Sequence, residues 1–143
     1  MKKDPRRRGR EAALQILYQR EVGQSDLDKA VTTFFDWQWP DATPPPDSVR
    51  TFASELARET VAQLAAIDAL IAETSERWRP ERMAILDRLI LRMATCELMR
   101  QSPLPPAVVI NEALELARTF STEESVKFIN GMLDGIRKKI TRD

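Results

Sequence analysis

The sequence predicts an all-α protein, one compact domain of about six or seven helices over residues 1–143. Apolar residues recur every three or four positions along most of the chain, the spacing that gives a helix one buried face. Alternating apolar and polar runs of the strand type are missing. The nine prolines cluster at the ends of the apolar rows, where the loss of a donor and the bias against helix at the preceding residue do least harm. With 43% apolar residues in 143, the chain can bury roughly 68–70% of its unfolded surface and needs no staples.

Taken in order, residues 6–22 carry Ala13, Leu14, Leu17 and Tyr18 at helical spacing, and Gly23 offers a stop. Ser25 or Asp26 can cap a second short helix bearing Leu27, Ala30, Val31, Phe34 and Phe35. The Trp37–Pro46 stretch breaks it, and reads as a surface loop with Trp37 and Trp39 partly tucked against the core. The most regular row, Val49, Phe52, Leu56, Thr60, Leu64, Ile67, Leu70 and Ile71, predicts one helix over residues 47–72, about 39 Å long at roughly 1.5 Å per residue. After the Trp78–Pro80 break a stripe runs through Met83, Leu86, Leu89, Ile90, Met93 and Leu98, and the Ser102–Pro106 segment ends it. Pro105 and Pro106 suit the first turn of a helix carrying Val109, Ile110, Ala113, Leu114 and Ala117. Ser121 and Glu124, three apart, read as a capping box for a last helix whose core row is Ile129, Leu133, Ile136 and Ile140.

Charge is unevenly spread. The chain has 22 basic and 22 acidic residues, yet Lys2, Lys3, Arg6, Arg7, Arg8 and Arg10 crowd the first ten positions against Asp4 alone. Without residues 1–10 and 137–143 there remain twelve basic and twenty acidic groups, a net of −8. Such concentration at the ends points to a local polyanion contact, with RNA or DNA first in view. Arginine outnumbers lysine in the arm, and its planar fork suits phosphates and base edges. A solvated basic tail is the plain alternative. Gly9, weak in a helix by roughly 0.5–1 kcal/mol against alanine, suggests an arm that frays when free and orders on binding.

Several function classes fall away. Histidine is absent and Cys96 is the one cysteine, which removes Ser-His-Asp and Cys-His catalysis and argues against a zinc site. The four glycines, at 9, 23, 131 and 135, form no phosphate loop. No enzyme activity, cofactor or metal is expected. Cys96 reads as a small buried filler. No run approaches the roughly 18 apolar residues of a membrane span and no signal peptide pattern opens the chain, so a cytoplasmic protein is expected. In the last helix Phe128 stands about 100° off the core row, beside Lys127 and ahead of Asn130-Gly131. It suits either a second layer of core or a platform on which an unpaired base stacks.

Three segments together resemble the NusB family of bacterial transcription antitermination factors. They are Arg6–Gln19, then Leu89–Leu98 continuing through Pro105 to Ile110–Ala117, then Lys127–Asp134, in order over essentially the whole chain. The resemblance implies two small helical bundles packed crosswise. It implies binding of single-stranded boxA RNA jointly with a small-subunit ribosomal protein that doubles as NusE. It further implies association with elongating RNA polymerase and suppression of premature termination, notably on ribosomal RNA operons. Arg6, Arg7, Arg8 and Arg10 would meet phosphates, Phe128 would stack, and Lys127 would hold the RNA backbone. Tyr18, Glu81 and Asp87 match positions linked to the partner, and an acidic middle segment would attract a basic ribosomal protein. Glu124 stands where the family pattern leads one to expect aspartate, and the Trp37–Pro46 loop departs from that pattern. A homodimer through the RNA-facing surfaces is left open. The competing readings are a helical interaction or scaffold module with an incidental basic tail, and the NusB-like domain of a ribosomal RNA methyltransferase; no methyltransferase domain follows within these 143 residues.

Overall fold

A computed structural model describes residues 4–100 and 103–141. Among the described residues there are seven α-helices, one π-type turn, one 3₁₀ turn and no strand. Lys2 and Lys3 of the basic arm, and Ser102, lie outside the described residues. The helices group into two compact units that divide between Glu59 and Thr60.

In the first unit α1 spans Pro5–Gly23. Asp4 caps it by accepting the Arg6 backbone N–H on Oδ1 at 2.8 Å, and Pro5 fills the first turn, where no N–H is needed. The arm therefore belongs to α1 from residue 5 onward and Gly9 does not interrupt it. The reason is a close approach: a β-carbon on Gly9 would stand 2.6 Å from Cδ1 of Phe52. The glycine that weakens the isolated helix is what admits the ring. Gly9→Ala is expected to lower stability by about 1–2 kcal/mol, since overpacking of about 1–3 kcal/mol outweighs a helix-propensity gain of roughly 0.5–1 kcal/mol. A thermal melt checks it, and a more stable variant would refute the packing argument. At the other end the helix stops at Gly23, but Gln24 takes the left-handed backbone, φ 51° and ψ 35°.

The second helix, α2, is shorter than the apolar row suggests. It covers Leu27–Thr33, with Asp26 rather than Ser25 at its cap, and the chain then widens into a π-type turn over Phe34–Gln38. Phe34 and Phe35 are buried and meet edge to face at 5.1 Å. Trp39, four residues past Phe35, is half-buried against both rings at 6.3 and 5.9 Å. Trp37 is not tucked in as expected: it is 83% exposed. Two residues beyond a buried position in a helical turn, it faces the opposite side.

The predicted 47–72 helix is two helices. α3 is Asp47–Ala62 and α4 is Leu64–Thr74, separated by Gln63 at φ −102° and ψ 16°. Neither glycine nor proline marks the break, and the apolar row keeps its phase across it. Packing decides it. α3 carries the chain across the division between the units, while α4 packs within the second unit.

The second unit is completed by a 3₁₀ turn over Pro80–Arg82 and by α5 (Ile85–Met99), α6 (Pro106–Phe120) and α7 (Glu123–Thr141). Helices α5, α6 and α7 pack on one another in all pairings, and α4 packs on α5 and α7. Helix α5 buries a continuous run from Leu89 to Cys96 broken only by Arg92, and Cys96 is 1% exposed. Met83, read as the first residue of that stripe, precedes the helix with extended backbone, because the 3₁₀ turn closes on it. Arg92 binds Asp68 through Nε at 2.9 Å and Nη2 at 3.0 Å, which ties α5 to α4 with a two-point charged contact. Gly135 of α7 lets Thr74 of α4 approach, since a β-carbon there would lie 2.9 Å from Thr74 Cγ2.

The cap of α7 also differs from the sequence reading by one residue. Thr122 Oγ1, not Ser121, accepts the Ser125 backbone N–H at 3.0 Å. Ser121 is otherwise occupied, donating its hydroxyl to Asp87 Oδ1 at 2.6 Å.

Candidate nucleic-acid interface

The first turns of α1 set four arginines of the arm in graded exposure. Arg6 is exposed, Arg7 and Arg8 are half-buried, and Arg10 is 2% exposed with its guanidinium 5.2 Å from the Phe52 ring centre. Arg10 is thus the innermost of the four. Arg8 is held by the loop that follows the π-type turn. Its guanidinium lies 4.4 Å over the Trp39 ring and pairs with Asp41 Oδ2 at 2.5 Å. Trp39 in turn donates Nε1–H to the Thr43 carbonyl at 3.0 Å. Further along α1, Tyr18 is 39% exposed and Val22 is 54% exposed, an apolar pair one turn apart.

In the second unit, Lys127 and Phe128 sit in the first half of α7. Together with Arg77, Asp87, Thr122, Glu124 and Ser125 they line an open depression of about 440 Å³. Phe128 is neither a core residue nor a bare ring. It is half-buried, and the Arg77 guanidinium lies 4.9 Å from its centre. Asp87, half-buried at the start of α5, accepts from Ser121 Oγ at 2.6 Å and from Ser125 Oγ at 2.7 Å. These two bonds pin the first turn of α7, and with it the Lys127–Phe128 pair, to α5. Glu81 is exposed on the 3₁₀ turn.

The structure therefore brings Asp87, Lys127 and Phe128 into one depression, and Arg6, Arg7, Arg8 and Arg10 onto one helix start shared with Tyr18. Glu81 belongs to neither group. Three residues of these surroundings escaped the sequence reading: Arg77, fifty-one positions from Phe128, and the Trp39–Asp41 pair in a loop given no role. No local spacing could have linked them. Chemically, Arg77 and Lys127 are balanced in the lining by Asp87, whose oxygens are taken by Ser121 and Ser125, and by the exposed Glu124, so the half-buried Phe128 ring offers a flat base a stacking surface beside a mixed rather than a purely cationic rim.

The NusB family model matches residues 7–138. The chain is 44% identical to the transcription antitermination protein NusB of Solibacter usitatus, over 94% of this chain and 90% of that protein. It is 43% identical to the protein of the same name from Koribacter versatilis, over 98% of this chain and 93% of the relative. Among solved structures, T. maritima NusB superposes with a TM-score of 0.82 at 36% identity, covering 96% of this chain and 93% of that one. A crystal structure of antitermination factors NusB and NusE in complex with dsRNA shares the fold, with a TM-score of 0.81 at 21% identity over 94% and 97% of the two chains. With a family model and relatives matched over nearly their full lengths, this all-α chain belongs to the NusB family, a family of transcription antitermination proteins and not of enzymes.

Proposed function

We propose that residues 1–143 act as one RNA-binding domain that takes single-stranded boxA-type RNA jointly with a NusE-type small-subunit ribosomal protein. In this reading the complex joins elongating RNA polymerase in the cytoplasm and suppresses premature termination, notably on ribosomal RNA operons. The observation that carries it is the depression on the second unit, where Lys127 and Arg77 flank the half-buried Phe128 ring. A ring that is accessible beside cations suits an unpaired base over a phosphate, which is how single strands are read. The solved NusB–NusE–dsRNA complex, alike in fold, supports RNA and NusE as the partner classes. Among the described residues no helix is long and apolar enough to cross a membrane.

The roles divide by exposure. Arg6, Arg7 and Arg8 neutralise phosphates, Lys127 holds the RNA backbone, and Phe128 stacks. Arg10, at 2% exposure, braces α1 over Phe52 and contributes to RNA binding through that position. Tyr18 and Glu81, exposed on α1 and on the 3₁₀ turn, face the ribosomal protein. Asp87 serves the same partner side by fixing α5 to the start of α7.

The test is a titration of the protein, with and without the NusE-type ribosomal protein, into labelled boxA-like RNA and a scrambled control, single-stranded and duplex, at several salt concentrations. Tighter and sequence-selective binding to the single strand is expected when the partner is present. The slope of log affinity against log salt is expected at about −2 to −3.5, from roughly three to five phosphates at about 0.7 each. Equal weak binding to both RNAs, indifferent to the partner, would return the scaffold reading to the lead. Sedimentation of the free protein decides the homodimer, which RNA should dissociate if the RNA-facing surfaces form it.

A further inference from the structure

The loop over residues 39–46 takes no part in the reading above, yet two of its side chains hold an arginine of the arm. Asp41 accepts from Arg8 Nη2 at 2.5 Å, and the Trp39 ring lies 4.4 Å beneath the same guanidinium. The loop is itself braced. Trp39 rests on Phe34 and Phe35 and donates to the Thr43 carbonyl, and Pro44, Pro45 and Pro46 follow with fixed φ. The contact is also open to solvent: the Arg8 and Asp41 side chains are 25% and 47% accessible, so an incoming anion can reach both.

Carboxylate and phosphate oxygens compete for the same guanidinium donors, because both satisfy the fork with a pair of charged acceptors. Asp41 meets Arg8 through the single Nη2–Oδ2 contact, one of five N–H donors, so a phosphate that takes the fork by two prongs must displace the carboxylate from Nη2 and the charge it neutralises there. The ring face has no such conflict, since stacking leaves the edge of the guanidinium available.

We propose that Asp41 stands in for a phosphate on Arg8 in the RNA-free protein, and that the nucleic-acid backbone must displace it to engage the arm. This rests on the reading of α1 as a phosphate-binding arm. Trp39 keeps the guanidinium plane in position throughout, and Asp41 sets how readily its edge is given up. A polyanion that offers charge alone meets a partly neutralised arm. RNA that also occupies the rest of the site gains enough contacts to release Arg8. Asp41 is thereby an affinity-setting and selectivity-setting residue of the RNA site, acting through Arg8 rather than touching RNA itself.

The experiment compares the full chain with the Asp41→Asn, Arg8→Ala and Asp41→Asn/Arg8→Ala variants, binding boxA-like and scrambled single-stranded RNA across a salt series, with a thermal melt of each. Asp41→Asn is expected to bind both RNAs about two- to fivefold tighter at low salt, the worth of an exposed ion pair, with the larger gain on the scrambled strand. The gain should fade as salt screens the pair, and it should vanish in the Arg8→Ala background, with each variant still melting cooperatively and within a few degrees of the unaltered chain, the loss of one exposed pair and one ring contact. A gain that persists without Arg8 would mean simple repulsion between Asp41 and RNA, and overturns the proposal. Weaker binding by Asp41→Asn would make Asp41 an orienting residue, and also overturns it. If Asp41→Asn changes nothing while Arg8→Ala weakens selective binding, the inference about Asp41 fails and the RNA-binding reading stands. If no variant, nor the unaltered chain, prefers the boxA-like strand, the RNA-binding reading itself fails.

Discussion

The Arg7→Ala/Arg8→Ala double variant is expected to lose about 2–4 kcal/mol of RNA affinity while keeping its fold and most of its ribosomal-protein binding. Hydrogen bonds to charged groups are worth about 1.5–3 kcal/mol each, and the partial exposure of both side chains brings the figure nearer to about 1–2 kcal/mol apiece. Two fewer phosphate contacts should also flatten the salt dependence by about 1.4, at roughly 0.7 per phosphate on a single strand. Arg6 remains in the variant, so residual binding survives. Filter binding or fluorescence anisotropy at three or four salt concentrations reads affinity and slope together. Unchanged affinity with an unchanged slope would sink the arm as an RNA contact. Unchanged slope with lower affinity would mean instead that the arginines act through the position of α1.

Phe128→Ala separates the two readings that the sequence leaves open for this ring. As a stacking platform it should contribute about 1–3 kcal/mol to RNA binding. A fully buried phenylalanine costs about 3–5 kcal/mol of folding stability on truncation. The ring is half-buried and carries Arg77 on one face, so its removal should cost stability only about 1–2 kcal/mol, part of it the exposed cation–π contact of about 0.5–1 kcal/mol. A melt run beside a binding curve decides. A stability loss in the core range with RNA affinity intact would return Phe128 to packing. The same pair of measurements on Arg77→Ala tells whether that guanidinium shields the ring or extends the stack.

The grouping of residues into these sites was legible only in part. The cations of the arm and the Lys127–Phe128 pair are each local in sequence, so composition and helical phase expose them. Trp39 and Asp41 are not, because a loop thirty-one to thirty-three residues away from Arg8 is brought to it by α2 and the π-type turn. Arg77 meets Phe128 only because α4 and α7 pack within one unit. The sequence also treats Arg10 as an equal of its neighbours, since helical spacing without a partner helix does not say which arginine turns inward. It is Phe52 of α3 that marks the inner side.

What the sequence by itself determined is the content of each helix: apolar period, proline punctuation and local charge act over a few residues and do not need the rest of the chain. That is enough for an all-α class, for the stop of α1 at Gly23 and the start of α6 at its prolines, and for the basic start. What only the tertiary structure decided is wherever a distant contact outweighs a local preference. The apolar row from Val49 to Ile71 keeps one phase, yet the helix breaks at Gln63, whose backbone turns to φ −102° and ψ 16° with no glycine or proline to announce it. Gly9 lowers helix propensity, yet α1 continues through it, because only a missing β-carbon admits Phe52. Ser121 has the side chain of a cap, yet leaves that work to Thr122, because Asp87 across the packed helices offers its hydroxyl a charged acceptor.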